Sequence, residues 1–308
     1  MKNPLQNLAS ALRTWLAWRR EPGVFRRRDA AMQFHRVLLP RRWLARTAAR
    51  RLARASVAQG EGEGVQRITL PGEGGLGFFW PAAPDPNLWY LIEQETDPRN
   101  PHCYTTPPIE LTPASRVVDV GACEGLFAFR CLRQGLAREV VAFEPSARMA
   151  PLLRRGAEAN GVADRIRVVE SAVGSHTGTV AFDVSDGEQA GRLAEPAPGN
   201  VPVPCTTIDD FCAENQIELG PQDLLKVDAE GADLDVLKGA EQSLRRRSPQ
   251  VAVTTYHTDA HAQEMVAWLR AVQPRYRLRL KGFSFWTPRP RPVLLLASAL
   301  GQDRKPIV

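Results

Sequence analysis

The stretch VVDVGACEG, residues 117–125, combines an acid with spaced glycines in a pattern that suits a bound cofactor. Asp119 ends an apolar run, and Gly121, Cys123 and Gly125 lie in the turn that follows. Open parallel sheets bind ligands beyond the carboxyl ends of their strands, where such turns lie. We therefore predict that this turn approaches a nucleoside-containing cofactor.

Later apolar runs of the chain also end in acidic or polar residues. The residues at these ends are Glu144, Pro145, Ser171, Ala172, Asp228, Glu230 and His257. Glu144 can accept two hydrogen bonds from ribose hydroxyls. Asp228, Glu230 and His257 are candidate general bases, and Tyr256 is a candidate for orienting an acceptor hydroxyl. Each acid also has a purely structural alternative, as a cap of the helix that follows it.

The spacing of the glycine turn separates two classes of cofactor. A dinucleotide fingerprint needs GxGxxG, but the positions two and five residues after Gly121 hold Cys123 and Leu126. The surrounding carboxylates would repel a pyrophosphate but attract a cationic sulfonium and amine. The pattern thus favours S-adenosylmethionine, with a nicotinamide-dependent oxidoreductase as the enzyme alternative.

Asp228, Glu230 and His257 also carry donor atoms that divalent metals accept. Sets of two carboxylates and one imidazole are common by chance, so the sequence prediction assigns no metal. Asp233 and Asp235, a few residues later, are interpreted as acids that favour the N-terminus of a helix.

The elements that must position these residues form a regular alternation from residue 116 onward. Strands are expected at RVVDVG, EVVAF, RIRVVE, DLLKVD and QVAVTTY, with RYRLRL and PVLLLAS as a final antiparallel pair. Helices are expected at about 124–134, 146–160, 232–246 and 259–273, and a polar insertion follows RIRVVE. The predicted fold class is α/β, a Rossmann-like doubly wound seven-stranded sheet with an antiparallel last strand, plus a basic helical N-terminal extension.

Charge is concentrated at the start of the chain. Residues 1–58 hold 14 Lys+Arg and 2 acids, or +12, so the whole-chain +6 leaves −6 for the remainder. A basic segment with Trp15, Trp18 and Trp43 suits an acidic partner or a peripheral contact with anionic lipid. A pair of packed helices with solvated arginines explains the same pattern. Nucleic acid is not expected, because no reader motif is present and the remainder is acidic.

A polar, glycine-rich stretch, AQGEGEGVQ at 58–66, predicts a flexible linker. After it, VQRITL and LGFFWPA predict a small hairpin, and PNLWYLIEQE predicts a helix. We therefore divide the chain into a basic helical segment at 1–58, a linker, hairpin and helix at 59–110, and a catalytic domain at 111–300.

Cysteine content and hydropathy limit the cellular compartments in which we expect the protein. The five cysteines form no CxxC pair, which favours free thiols over a zinc site or a disulfide framework. No apolar run of about 18 residues and no secretory signal pattern is present, so we expect a cytoplasmic protein, with peripheral membrane attachment through 1–58 left open.

Taken together, these motifs resemble those of FkbM-type methyltransferases, a branch of the class I S-adenosylmethionine-dependent enzymes. The resemblance runs from about 116 to 298 and rests on VVDVGACEG, VVAFEPS, SAVGSHTG, TTIDDF, DLLKVDAEGADLDVLKGA and TTYHTD. It implies a seven-stranded sheet with a reversed final hairpin. It also places Asp119, Gly121 and Gly125 around the methionine portion and Glu144 at the ribose. Ser171 and Ala172 would border the adenine. Cys123 departs from the asparagine often found in the family.

The resemblance implies O-methylation of a hydroxyl on a sugar, glycan or polyketide-like metabolite. Two segments are candidates for lining the acceptor, residues 99–108 with His102 and Tyr104 and the insertion at 183–204. A non-catalytic scaffold whose basic N-terminus binds a membrane or partner is the alternative outside enzymology.

Overall fold

The computed structural model describes residues 4–18, 41–60, 64–183, 185, 191–194, 197–284 and 291–301. Its α-helices are α1 (Pro4–Trp18), α2 (Arg41–Leu52), α3 (Pro86–Thr96), α4 (Leu126–Arg133), α5 (Met149–Ala159), α6 (Ile208–Glu214), α7 (Asp233–Lys238), α8 (Glu241–Arg247) and α9 (His261–Val272). Its strands are β1 (Ser56–Gln59), β2 (Gln66–Leu70), β3 (Leu76–Trp80), β4 (Arg116–Val120), β5 (Glu139–Phe143), β6 (Ile166–Val169), β7 (Ala172–Val173), β8 (Gly178–Asp183), β9 (Arg192–Ala194), β10 (Val201–Thr206), β11 (Leu224–Val227), β12 (Gln250–Thr254), β13 (Arg277–Phe283) and β14 (Pro292–Ser298). Among the described residues, no helix is both long and apolar enough to cross a membrane.

A seven-stranded sheet organises the fold, in the order β13-β14-β12-β11-β4-β5-β6. The five strands from β12 to β6 in this order are parallel, and β14 runs antiparallel to both of its neighbours. Side chains of β4 alternate between two apolar clusters, with Val118 and Val120 in one and Val117 in the other. Both faces of the sheet are thus covered, and the predicted seven-stranded sheet with its reversed final hairpin is confirmed.

Within the polar insertion predicted after β6, strands β7 to β10 form a second sheet in the order β7-β10-β8-β9, which the sequence prediction did not include. Pro202 and Pro204 favour a loop in the sequence, since proline weakens a strand. Strand β10 nevertheless alternates, and it buries Val203 and Cys205 with Phe182 in a small apolar cluster. This two-residue period outweighs the prolines.

The single helix predicted at 232–246 is wrong, since the chain breaks between α7 and α8. The backbone at Gly239 packs closely on the second sheet, where a Cβ atom would lie 2.1 Å from the carbonyl oxygen of Gly174. The Gly239 carbonyl accepts a hydrogen bond from the amide of Asp209 at 2.9 Å. The break lets α7 end at this contact, which a continuous helix could not make.

Both described ends of the stretch interpreted as a flexible linker, residues 58–60 and 64–66, belong to a hairpin instead, and residues 61–63 lie outside the described residues. Strand β1 pairs antiparallel with β2, and the Gly60 amide donates to the Val65 carbonyl at 2.8 Å. Strand β1 therefore crosses the predicted boundary between residues 58 and 59, while the limits 59–110 and 111–300 stay predictions. In the N-terminal segment, Trp15 of α1 packs against the apolar cluster that contains Val118 and Val120. Residues 19–40, between α1 and α2, lie outside the described residues.

Side chains of the small sheet β1-β2-β3 pack in the apolar cluster that contains Val117, and one pair of register partners tests this packing. Ile68 is fully buried in the cluster that contains Val117, whereas Val57, its direct partner on β1, is exposed. We expect Ile68→Val to lower the free energy of unfolding by about 0.5–1.5 kcal/mol, since it removes a buried methylene. Chemical denaturation measures the change. Val57→Ala is the matched control and should stay within about 0.5 kcal/mol of wild type, and equal effects would place Ile68 outside the core.

Candidate active site

A cavity of about 960 Å³ opens beyond the carboxyl ends of β4, β5 and β11. The predicted residues that line it are Gly121, Cys123, Glu144, Pro145, Ser171, Ala172, Asp228, Glu230 and Tyr256. The sheet therefore brings together most of the positions that the sequence singled out. His102 from the predicted acceptor segment and Arg192 from the second sheet also line the cavity.

The turn after β4 packs closely against the end of β11, and this contact requires glycine at position 121. At Gly121, φ is +74° and a Cβ atom would lie only 1.9 Å from the carbonyl oxygen of Asp228. Any other residue would push β4 and β11 apart at the cavity. Gly125 has a different task, since a Cβ there would lie 2.1 Å from Leu153 Cδ1, below the cavity. Gly125 allows α4 to pack on α5 and does not line the site.

Glu144 is fixed at the cavity wall by two backbone amides. Cys123 N donates to Oε2 at 2.8 Å, and Ser146 N donates to Oε1 at 2.9 Å. Each carboxylate oxygen keeps acceptor capacity for a further hydrogen bond. Burial raises the pKa of Glu144 to about 7, against the opposing effect of the two amides. Burial also raises the pKa of the Cys123 thiol well above its ordinary value, so residue 123 contributes its backbone amide rather than a thiolate.

Asp119 does not line the cavity, contrary to the contact that the sequence predicted. Its side chain is fully buried beneath the turn, with Lys226 Nζ 2.8 Å from its Oδ1. Lys226 is the direct register partner of Asp119 on β11 and also donates to the Gly121 carbonyl at 2.8 Å. Burial raises the pKa of Asp119, and Lys226 opposes that effect. The ion pair thus supports the turn from below.

Asp228 lies where the cavity meets a buried polar network. Tyr104 donates its hydroxyl to Asp228 Oδ2 at 2.8 Å. Tyr104, predicted as an acceptor-lining residue, is itself fully buried and acts through Asp228. His102 Nε2 lies 3.3 Å from the Tyr256 hydroxyl and 3.7 Å from Asp228 Oδ2. Burial lowers the pKa of His102 to about 4, so this imidazole is neutral.

Asp233 is the centre of a second network, although the sequence suggested only a helix N-terminus. Its Oδ1 accepts from Ala229 N at 2.9 Å and from the Thr254 hydroxyl at 2.7 Å. Its Oδ2 accepts from Gly231 N at 3.1 Å and contacts His257 Nδ1 at 2.8 Å. Burial raises the pKa of Asp233, but His257 and these hydrogen bonds lower it overall, to about 2. Asp233 is therefore a permanent carboxylate.

His257 lies directly behind the cavity wall, with its side chain 8% exposed. Its Nε2 atom lies 3.2 Å from Glu230 Oε2 and 3.6 Å from Asp228 Oδ1. Burial alone would lower the pKa of His257, but the carboxylates, with Asp233 first, raise it well above its ordinary value. The three predicted candidate bases thus form one cluster, in which Asp228 and Glu230 face the cavity and His257 does not.

Comparison with known proteins assigns the family. The protein-family model for the methyltransferase FkbM domain matches residues 119–279, more than half of the chain. This chain belongs to the FkbM methyltransferase family. The match spans the glycine turn, Glu144 and the cluster of Asp228, Glu230 and His257.

Two curated relatives of this FkbM family member are methyltransferases by name. The chain is 27% identical over 174 residues to the 2-O-methyltransferase NoeI of Sinorhizobium fredii (strain NBRC 101917 / NGR234), covering 51% of this chain and 68% of that protein. It is 25% identical over 198 residues to methyltransferase sdnD of Sordaria araneosa, covering 54% and 76%. A crystal structure of methyltransferase FkbM from Methylobacillus flagellatus KT is similar at 22% identity and a TM-score of 0.45, covering 60% of this chain. This chain spans 44% of that protein.

Two residues of this candidate site, Lys226 and Asp233, were not predicted to belong to it, although each has a signal in the sequence. Lys226 interrupts the apolar run LLKV, and a lysine inside a buried strand needs an acid on a neighbouring strand. Asp119 is that acid. Asp233 lies five residues after Asp228, too far for the strand-end rule and close enough to pass for a helix cap.

Proposed function

We propose that the protein is an S-adenosylmethionine-dependent O-methyltransferase that acts on a hydroxyl of a sugar, glycan or polyketide-like metabolite. The observation that carries this proposal is Glu144, a buried carboxylate held by the amides of Cys123 and Ser146 beside the Gly121 turn. Family membership supports methyl transfer, and the relative named a 2-O-methyltransferase supports oxygen as the acceptor atom.

The residues present fit this cofactor. Glu144 has one acceptor position left on each oxygen, which matches the two ribose hydroxyls. Gly121 has no side chain to narrow the cavity. The acids Asp228 and Glu230 on its wall suit a positively charged ligand. Ser171 could accept a hydrogen bond on the adenine side but not donate one, since its single hydroxyl proton already goes to the Ala172 or Pro204 carbonyl.

Methyl transfer to a hydroxyl requires alignment and a place for one proton. When bound, S-adenosylmethionine supplies a methyl group on a sulfonium sulfur, so that the C–O bond forms as the S–C bond breaks and a neutral thioether remains. Glu230 lines the cavity, is the most exposed member of the cluster at 32%, and is the group we assign to accept the hydroxyl proton. Asp228 would hold the acceptor hydroxyl, and His257 would hold Glu230 in place. Positioning supplies most of the rate, because the donor is already activated.

A calorimetric titration with S-adenosylhomocysteine, run beside NAD, tests the cofactor. Saturable binding of S-adenosylhomocysteine alone supports the proposal and justifies an acceptor screen with labelled methyl donor. Binding of NAD alone would support the oxidoreductase, because Glu144 can hold either ribose. Binding of neither would favour a non-catalytic scaffold.

The affinity for the cofactor should depend on pH through Glu144. The carboxylate must be ionised for both oxygens to accept, and with a pKa of about 7 its ionised fraction rises from about one in eleven at pH 6 to about ten in eleven at pH 8. We expect S-adenosylhomocysteine to bind about tenfold more tightly at pH 8 than at pH 6. Calorimetry at both values measures this, and Glu144→Gln is the control that should flatten the profile. An equally steep profile in that variant would assign the titration to another group.

For the basic N-terminus we propose a peripheral contact with an anionic membrane. Helix α2 contains no acid, and Arg42, Arg46 and Arg50 are exposed at a four-residue spacing on one face. Trp43 on this helix is 51% exposed, and Ala45 lines the cavity. Each arginine near an anionic surface contributes about 1 kcal/mol.

Co-sedimentation with vesicles tests this contact. We expect binding to vesicles that contain phosphatidylglycerol, and little to pure phosphatidylcholine. Replacing Arg42, Arg46 and Arg50 with glutamate should abolish it while S-adenosylhomocysteine still binds. Equal binding by the variant, or binding to nucleic acid instead of vesicles, would contradict the proposal.

A further inference from the structure

The cluster behind the cavity wall contains an imidazole nitrogen whose surroundings suit a cation. His257 Nε2 has no hydrogen-bond partner among the described residues, although its side chain is only 8% exposed. Two carboxylate oxygens, Glu230 Oε2 at 3.2 Å and Asp228 Oδ1 at 3.6 Å, flank it without the alignment of a hydrogen bond. A buried polar nitrogen left in this way needs an explanation.

The hydroxyl protons of the cluster, on Thr254 and Tyr104, are donated to other oxygens. Thr254 has one hydroxyl proton, and its nearest acceptor is Asp233 Oδ1 at 2.7 Å rather than Asp228 Oδ1 at 3.1 Å. Tyr104 donates to the other oxygen of Asp228, Oδ2. The donor left for Asp228 Oδ1 is a proton on His257 Nε2 itself, 3.6 Å away, and a metal ion bound between the two atoms would displace that proton.

Asp233 fixes the tautomer of His257 but is not itself free to bind an ion. Each of its oxygens already has two partners, from Ala229, Thr254, Gly231 and His257. Although Asp233 lies close enough to Asp228 and His257 for a shared ion, its lone pairs are occupied. A carboxylate on Nδ1 is the usual support of a metal-bound histidine, because it leaves Nε2 as the donor atom.

The geometry points to a divalent cation site formed by His257 Nε2, Asp228 Oδ1 and Glu230 Oε2, with Asp233 as the support of His257. Two ligand atoms about 2.1 Å from one ion lie about 3.0–3.4 Å apart, near the two distances that separate Nε2 from the oxygens. A rotation of the Glu230 side chain, the most exposed of the three, completes the set. Mixed imidazole and carboxylate ligands suit Mn²⁺, which we take as the probe.

Charge favours the same assignment. Asp228, Glu230 and Asp233 place three carboxylates around one imidazole, and Lys226 is already paired with Asp119. Buried like charges are costly unless a cation compensates them, and here that cation is either a proton on His257 or a bound metal ion that replaces the proton. Binding of the ion does not depend on the proposed function, whereas its role in methyl transfer does: a cation beside the acceptor would lower the pKa of a bound hydroxyl.

Titration with Mn²⁺, followed by electron paramagnetic resonance, tests the site. We expect one saturable site and a nitrogen coupling from directly bound imidazole. His257→Gln should remove the coupling and weaken binding at least tenfold, as should Asp228→Asn. Asp233→Asn should weaken Mn²⁺ about 10- to 100-fold. The matched control is His261→Gln, because His261 lies 3.9 Å from Asp233 and outside the ligand set.

Binding of S-adenosylhomocysteine and thermal melting confirm that each variant is folded. No saturable Mn²⁺ binding by wild-type protein that binds S-adenosylhomocysteine would overturn the site and leave the proposed function intact. Mn²⁺ binding that His257→Gln leaves unchanged would overturn it as well, since the ion would then lie elsewhere. Mn²⁺ binding without S-adenosylhomocysteine binding would support the site and count against the proposed function.

Discussion

Replacing Glu144 with alanine should weaken S-adenosylhomocysteine binding by about 10²- to 10⁴-fold. In the proposed complex the carboxylate accepts two hydrogen bonds from the ribose, and a hydrogen bond to a charged group contributes about 1.5–3 kcal/mol. The variant also leaves the amides of Cys123 and Ser146 without their acceptor, which loosens the turn. Isothermal titration calorimetry measures the loss directly.

Two further variants separate the ribose contact from a general effect of charge or folding. Glu158 is an exposed acid on α5, and Glu158→Ala should bind like wild type. Glu144→Gln keeps the shape of the side chain and one acceptor oxygen, so its affinity should fall between wild type and alanine. Wild-type affinity in Glu144→Ala would remove Glu144 from the cofactor site and, with it, the main support for the proposed function.

Replacing His257 with alanine should reduce turnover by about 10²- to 10⁴-fold while S-adenosylhomocysteine still binds, since His257 does not line the cavity. The imidazole contacts Glu230 and faces Asp228, so its loss would disorganise the group that we propose accepts the proton. Single-turnover methyl transfer to an accepted hydroxyl substrate measures the rate, and calorimetry measures binding.

Asp233→Asn distinguishes a positioning role from plain packing. The amide keeps the volume of the carboxylate, but its NH₂ group replaces one of the two oxygens, each of which now accepts a backbone N–H. We expect turnover to fall with little change in the substrate KM, since His257 loses the carboxylate that orients its ring. An unchanged rate in both His257→Ala and Asp233→Asn would exclude the whole pair from catalysis.

The main sheet was predictable because its strands are buried on both faces. Runs such as VVAF and LLKV are almost continuously apolar, and the acids and glycines that follow them mark the strand ends. The second sheet was not predictable by the same rule, since β10 has prolines at every other position and only a weak alternation of Val203 and Cys205. Gly239, directly after Lys238, is a local signal for a helix end, but the contact with Gly174 that fixes the break comes from far away in sequence.

The site was predictable where a residue's place follows from its strand end. Gly121, Glu144, Asp228 and Glu230 lie on the cavity wall for that reason. Asp119 carries the same signal but faces downward, because alternation along β4 turns it toward Lys226 on the adjacent strand. Local order in sequence identifies the end of the strand, whereas the register between strands decides which side chain reaches the ligand.

The cavity wall has a second half that comes from before residue 119, with Trp80, Tyr90 and Glu95 among its residues. The family match begins at 119, so it covers the part of the wall that we propose for the methyl donor and stops short of these side chains. Two chains with equally good matches can consequently modify different molecules, and a shared family name does not transfer the acceptor. The same division offers a route for engineering: a chimera that exchanges the N-terminal half of the wall should change what is methylated without rebuilding the donor pocket.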